Sequence, residues 1–269
     1  MLKDMFSRLG TLARKQKPKV RLTFLHLPRT GGTAITRDIL FRNFRYGRLC
    51  HVNYGPDMQV LSGAHDPLSW TERKRERVAL LAGHMPFGLA KYFPGPSEYI
   101  TLVREPIARV VSDYFFCRQN PTNPAYPFAS TLPLVEFVAG GYGSSQNCYA
   151  QWLSNAAFGA KFRSEDEMLE AALKNLSQFS LVGLTEQSDL SIEWICKRYD
   201  LAVYPMTKVN KNVSTPEGRS ISEEEIHAIR GHNLLDLAIY DVCLKLFMET
   251  NSAGSEEPIG DSLAGIQQR

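Results

Sequence analysis

The stretch FLHLPRTGGTAITRDIL, residues 24–40, limits the fold of this chain more than any other feature. Residues 20–27 form an unbroken β-prone run, the pattern of a parallel strand covered on both faces. The run stops at Pro28-Arg29-Thr30-Gly31-Gly32-Thr33, and apolar residues then recur at helical spacing over 33–44. Strand, small-residue turn and helix in such close succession predict a β-turn-α unit.

Further along, 78–82 reads as a short strand ending at Gly83 and His84, 99–103 as one ending at Arg104, and 179–184 as another. Helices are predicted from Pro106 onward and at 133–139, 145–154, 165–177, 188–199, from Ser222, and over 234–248. Residues 45–70 and 120–133 read as irregular and loop segments. The charge run 72–77 reads as a solvated helical face, and 203–209 as a strand that Pro205 confines to an edge or an end. Strands alternating with helices give an α/β class with a mainly parallel sheet flanked by helices, whose ligands bind at the carboxyl ends of the strands.

At 269 residues the chain suits one such domain, placed here at 20–250, with a basic flexible segment at 1–19 and a disordered tail at 251–269. Net charge is +3, but residues 1–19 alone carry +5, which leaves −2 for the rest and argues against a nucleic-acid surface. Leu2, Met5, Phe6, Leu9 and Leu12 give the basic segment an apolar stripe, suited to peripheral membrane contact. Its simpler reading is a frayed tail. Five scattered cysteines without a C-x-x-C spacing indicate neither a disulfide framework nor a zinc site. With no apolar run long enough for a bilayer, the expected location is cytoplasmic. No metal is expected, and the oligomeric state is not legible.

The turn has the chemistry of an anion site. Backbone N–H groups at a helix start point outward unpaired, and the helix dipole adds partial positive charge. Gly31 and Gly32 let the backbone come close, Thr30 and Thr33 bring hydroxyls, and Arg29 brings a planar cationic fork. The nucleoside-triphosphate motif G-x-x-x-x-G-K-[ST] is not met. In a second stretch, YITLVREPIARVVSDYFFCRQ at 99–119, Arg104 stands at a strand end and Ser112 on the polar side of the next helix, both placed to reach one phosphate.

Together these motifs resemble the sulfotransferases that use 3′-phosphoadenosine 5′-phosphosulfate (PAPS). Residues 28–33 are similar to that family's 5′-phosphosulfate loop. Arg104, Glu105, Pro106, Arg109, Ser112 and Tyr114 resemble its 3′-phosphate segment, R-D-P-x-x-R-x-x-S-x-Y. The likeness is strongest to the branch with the heparan 2-O-sulfotransferases and carbohydrate sulfotransferases, and spans about residues 20–212. It implies a P-loop-like sulfotransferase fold, PAPS as co-substrate without a metal, and transfer of a sulfuryl group to a carbohydrate or glycolipid hydroxyl. Arg29 stands where the family usually has lysine, so a lysine general acid does not carry over.

The resemblance assigns Arg29, the N–H groups of Gly31 to Ala34 and the hydroxyls of Thr30 and Thr33 to the leaving phosphate, and Arg104 with Ser112 to the 3′-phosphate. His84, at a strand end and titrating in a useful range, is the candidate base. His51, His65 and Glu105 stand behind it, and His26 reads as a core histidine. Asn147 and Gln151, one helical turn apart, are candidate acceptor contacts, with Tyr149 and Trp152 as stacking surfaces. Lys208, Asn210 and Lys211 are candidates for contact with the nucleotide or an acidic acceptor. A nucleotide kinase with a degenerate phosphate loop and an inactive nucleotide-binding module remain as alternatives.

Overall fold

A computed structural model describes residues 20–55, 58–61, 66–206 and 220–253. Five strands, β1 (Arg21–Leu25), β2 (Leu49–Asn53), β3 (Leu80–His84), β4 (Ser97–Val103) and β5 (Phe179–Leu184), form one sheet in the order β2-β3-β1-β4-β5. Every pairing is parallel. All five carboxyl ends therefore open on one edge, where residues 26–34, 84 and 104–105 emerge.

Successive side chains of a strand face opposite ways, and both faces are covered. Leu22, Phe24, Leu80, Ala82, Ile100 and Leu102 pack on one side with Ile35, Ile39, Ile192 and Ile195. Leu25, Leu81, Val103, Phe179 and Val182 pack on the other with Leu153, Leu176, Ile239 and Leu246.

The helix after β1 begins at Gly32–Ala34, widens to π geometry over Ile35–Leu40 and returns to α over Phe41–Asn43; together these form α1. Next come α2 (Glu72–Glu76), α3 (Pro106–Gln119), α4 (Tyr126–Thr131), α5 (Leu134–Ala139) and α6 (Cys148–Leu153). They are followed by α7 (Glu165–Leu176), α8 (Ser188–Arg198), α9 (Glu223–Gly231) and α10 (Leu234–Ala253). Glu105 caps α3, accepting hydrogen bonds from the N–H groups of Ile107 and Ala108, with Pro106 in its first turn. Ser222 and Glu225 form a reciprocal capping box on α9. A third apolar cluster, built on Val110, Val111, Tyr114, Phe137 and Ile229, ties α3 to α5 and α9.

Several boundaries correct the sequence reading. The segment 45–70 contains β2, a five-residue edge strand buried only at alternate positions, Cys50 and Val52, and therefore without a long apolar run. The predicted loop 120–133 contains α4, whose Pro127 lies in the first turn, where it starts a helix rather than breaking one. No strand forms over 203–206, where Val203 is 68% exposed. The last helix runs to Ala253, past the expected start of the tail. Residues 1–19, His65, Lys208, Asn210 and Lys211 lie outside the described residues. Among the described residues no helix is long and apolar enough to cross a membrane, and the five cysteines are free and buried.

Candidate active site

At the end of β1 the backbone reverses through two left-handed residues, Arg29 at φ 65° and Gly31 at φ 77°. Glycine adopts that region freely, whereas arginine pays about 1–2 kcal/mol, a strain typical of functional turns. Gly32 admits no side chain, because a Cβ there would overlap the His26 ring. The turn delivers the start of α1 to the open edge of the sheet, where the first N–H groups have no intrahelical partner.

Two of the expected donors are taken. The Thr30 hydroxyl is buried and donates to the Leu27 carbonyl at 3.0 Å. The Ala34 N–H turns back to the Gly31 carbonyl at 3.2 Å. Both therefore shape the loop rather than offer a proton to an anion. The free contribution comes from Gly31, Gly32 and the exposed Thr33.

The two sequence motifs meet in space. Arg29 donates to the Ser112 hydroxyl from Nε at 3.4 Å and Nη2 at 3.2 Å, and its guanidinium lies 4.2 Å from the centre of the Phe116 ring. Burial lowers its pKa, Asp113 opposes that shift, and Arg104 is close enough to lower it further. Arg29 stays cationic at any relevant pH, so an anion placed there meets a partly dehydrated charge. Arg104 makes no side-chain hydrogen bond or ion pair among the described residues. Arg29, Ser112 and Arg104 thus lie together at the carboxyl edge of the sheet.

Residues after β5 tie these segments together. The Thr185 hydroxyl reaches the carbonyls of Thr30 (2.8 Å) and Val103 (3.0 Å), joining the loop to the end of β4. Glu186 accepts the Glu105 N–H at 2.8 Å and the Tyr240 hydroxyl at 3.3 Å. With both carboxylate oxygens held by the α3 cap, Glu105 is poorly placed to act as a base.

His84 lies at the same edge, one strand away. It follows Gly83, whose φ of 133° and contact with the Val52 carbonyl exclude any larger residue. The His84 Nδ1 lies 2.7 Å from the His26 carbonyl, which can only accept. Nδ1 therefore carries the proton and Nε2 keeps a free lone pair. The ring stacks on His26 at 4.5 Å and meets Trp152 edge-on at 5.2 Å. Burial is the main reason its pKa falls to about 4, opposed by the bond to His26 and assisted by His51. His84 is thus neutral throughout the useful range rather than titrating within it. His26 is driven well below its ordinary value, first by burial and then by His84.

The acceptor candidates fare differently. The Asn147 amide oxygen accepts the Leu235 N–H at 3.1 Å at the start of α10, so this side chain caps a helix instead of facing a sugar. Gln151 donates to the Gln146 carbonyl at 2.9 Å. Tyr149 is 0% exposed and offers no stacking surface, while Trp152 is only half-buried beside His84.

Sequence reasoning missed two groups. Thr185 and Glu186 carry no assigned role in the sequence reading, since nothing local marks a hydroxyl that will bridge distant carbonyls. Arg109 was read as part of a binding motif, but it is 0% exposed and lies 3.8 Å from Asp236 of α10. None of its three nitrogens has a hydrogen bond among the described residues.

No family profile matches the chain. It is similar to heparan-sulfate 6-O-sulfotransferase 2 of Mus musculus, 24% identical over 298 aligned positions that cover 91% of this chain and 47% of the relative. Against heparan sulfate 2-O-sulfotransferase hst-2 of Caenorhabditis elegans it is 25% identical over 186 positions, covering 60% of this chain and 54% of the relative. The chain thus spans about half the length of these curated relatives. The solved structure of mouse sulfotransferase SULT7A1 complexed with PAP aligns with 83% of this chain and 67% of that one, at 14% identity and a TM-score of 0.36, too slight a likeness to argue from.

Proposed function

We propose that this chain, a relative of the PAPS-dependent carbohydrate sulfotransferases, transfers the sulfuryl group of PAPS to a carbohydrate hydroxyl. The observation that carries the reading is the Arg29–Ser112 contact with Arg104 alongside, which joins the two phosphate motifs in one cleft at the carboxyl edge of the sheet.

In this reading the N–H groups of Gly31, Gly32 and Thr33, with Arg29, hold the 5′-phosphosulfate, and Arg104 with Ser112 holds the 3′-phosphate. The acceptor oxygen attacks sulfur as the bond from sulfur to the phosphate oxygen breaks, so negative charge grows on the leaving phosphate. Donors already in place stabilise it; one such donor is commonly worth about 3 kcal/mol. The leaving phosphate is a stable anion, so Arg29 need not supply a proton. The acceptor proton passes to His84 Nε2. A base with a pKa near 4 accepts it late, as the new oxygen–sulfur bond makes the hydroxyl acidic. Trp152 flanks that position as an apolar wall for a sugar ring. The names of the relatives include both 6-O and 2-O positions, and heparan-type polysaccharides are the first acceptors to assay.

Calorimetric titration with 3′,5′-ADP and with ATP-magnesium, followed by transfer of labelled sulfate from PAPS to heparan-type chains, tests the proposal. Saturable binding of 3′,5′-ADP, transfer to polysaccharide, and loss of transfer of at least a hundredfold in His84→Ala are expected. Absence of 3′,5′-ADP binding overturns the proposal, and full activity in His84→Ala removes the base.

A further inference from the structure

We propose that Tyr149 is a positioning residue that aims Arg104 at the 3′-phosphate, an inference that rests on the sulfotransferase reading above. The last ladder pair of β4 joins Val103 to Leu184. Arg104 therefore leaves the sheet with neither of its backbone groups paired to a strand. The Tyr149 hydroxyl meets both, accepting the Arg104 N–H at 2.8 Å and donating to the Arg104 carbonyl at 2.6 Å. One oxygen thus fixes the peptide planes on both sides of residue 104, and with them the direction in which its Cβ projects.

The phenol cannot drift. Its ring is fully buried on α6, and the Arg109 guanidinium lies 5.5 Å from the ring centre. Burial raises its pKa well above the ordinary phenol value, so the hydroxyl always keeps the proton it donates. On the next residue Glu186 holds the Glu105 N–H. The Arg104 backbone is fixed from two directions, whereas its guanidinium is unengaged among the described residues. A rigid base beneath an unsatisfied cation is what preorganised anion binding requires, because the ordering entropy is lost on folding rather than on binding.

Tyr149→Phe keeps the ring and removes only the hydroxyl. It is expected to raise the Kd for 3′,5′-ADP and the KM for PAPS about tenfold, equivalent to ~1.4 kcal/mol, with kcat within about twofold of wild type. In an Arg104→Ala background the same substitution is expected to change Kd by less than about twofold, because its target is gone. A tenfold loss that persists without Arg104, or a fall in kcat at unchanged KM, overturns the inference while leaving the function intact. Failure of the wild-type chain to bind 3′,5′-ADP overturns both. Hydrogen exchange on the wild-type protein covers the case in which Tyr149→Phe fails to fold. The Arg104 amide, beyond the last strand pair, is expected to be protected about a hundredfold or more, and exchange at the rate of an open loop overturns the inference.

Discussion

Acidification offers a test of how His84 is held. The unfolded imidazole titrates near 6.5 and the folded one near 4. At pH 7.5 both states are neutral and the group contributes nothing to pH dependence. Between 6.5 and 4 the unfolded chain takes up a proton that the folded chain refuses, so stability falls as the pH falls. The gap of 2.5 units corresponds to about 3.4 kcal/mol at 1.36 kcal/mol per unit. By pH 4.5 most of it has been lost, and because His84 is only partly buried at the strand end the figure falls to about 2 kcal/mol. Urea unfolding at pH 7.5 and 4.5, followed by tryptophan fluorescence, is to be compared for wild type and His84→Phe. The variant loses the His26 contact at both pH values, and the carboxylates titrate alike in the two proteins, so these contributions cancel. Wild type is expected to lose about 2 kcal/mol more than the variant on acidification. Equal losses, within about 0.5 kcal/mol, would show that the imidazole is not kept neutral by burial.

Substitutions at two further positions test the frame of the site. Gly83→Ala places a methyl group against the Val52 carbonyl at a left-handed φ, and is expected to destabilise by more than about 3 kcal/mol; a melting temperature within a degree or two of wild type refutes the close approach of β2 and β3. Thr185→Val keeps the methyl packed beside Gly31 but removes the hydroxyl shared by Thr30 and Val103. A loss of about 1–2 kcal/mol in urea unfolding and a higher KM for PAPS are expected. Thr185→Ser restores the hydroxyl and should recover most of the PAPS affinity; a failure to recover it points to the methyl contact instead.

The parts of this molecule that were legible in the sequence are those whose signal is local. A β-prone run followed by Pro28-Arg29-Thr30-Gly31-Gly32-Thr33 reads as strand, turn and helix, and β5 is located to the residue because the largely apolar run Phe179–Leu184 ends at Thr185. The strand β2 escaped because an edge strand needs only two buried side chains, and the helix α4 because proline marks both breaks and starts. At the site, the meeting of Arg29 with Ser112 was implied by a pattern spread over some eighty residues. The occupation of Thr30, Ala34 and Asn147 was not, since whether a polar group is free depends on what the fold brings beside it. The neutral state of His84 likewise arises from enclosure by His26 and Trp152, neither of them its neighbour in the chain.

The interior pairing of Arg109 with Asp236 makes the helix that presents Ser112 depend on the far end of the domain. The helix that presents Ser112 is translated well before α10, and a cation enclosed without its counter-ion is disfavoured by several kcal/mol. Asp113 on the same helix offsets part of that cost, and α10 adds the rest through Asp236, so the interior behind Ser112 is completed only by the closing segment. A chain truncated ahead of Asp236 would keep the turn at 28–33 but leave Arg109 short of one of its two buried carboxylates.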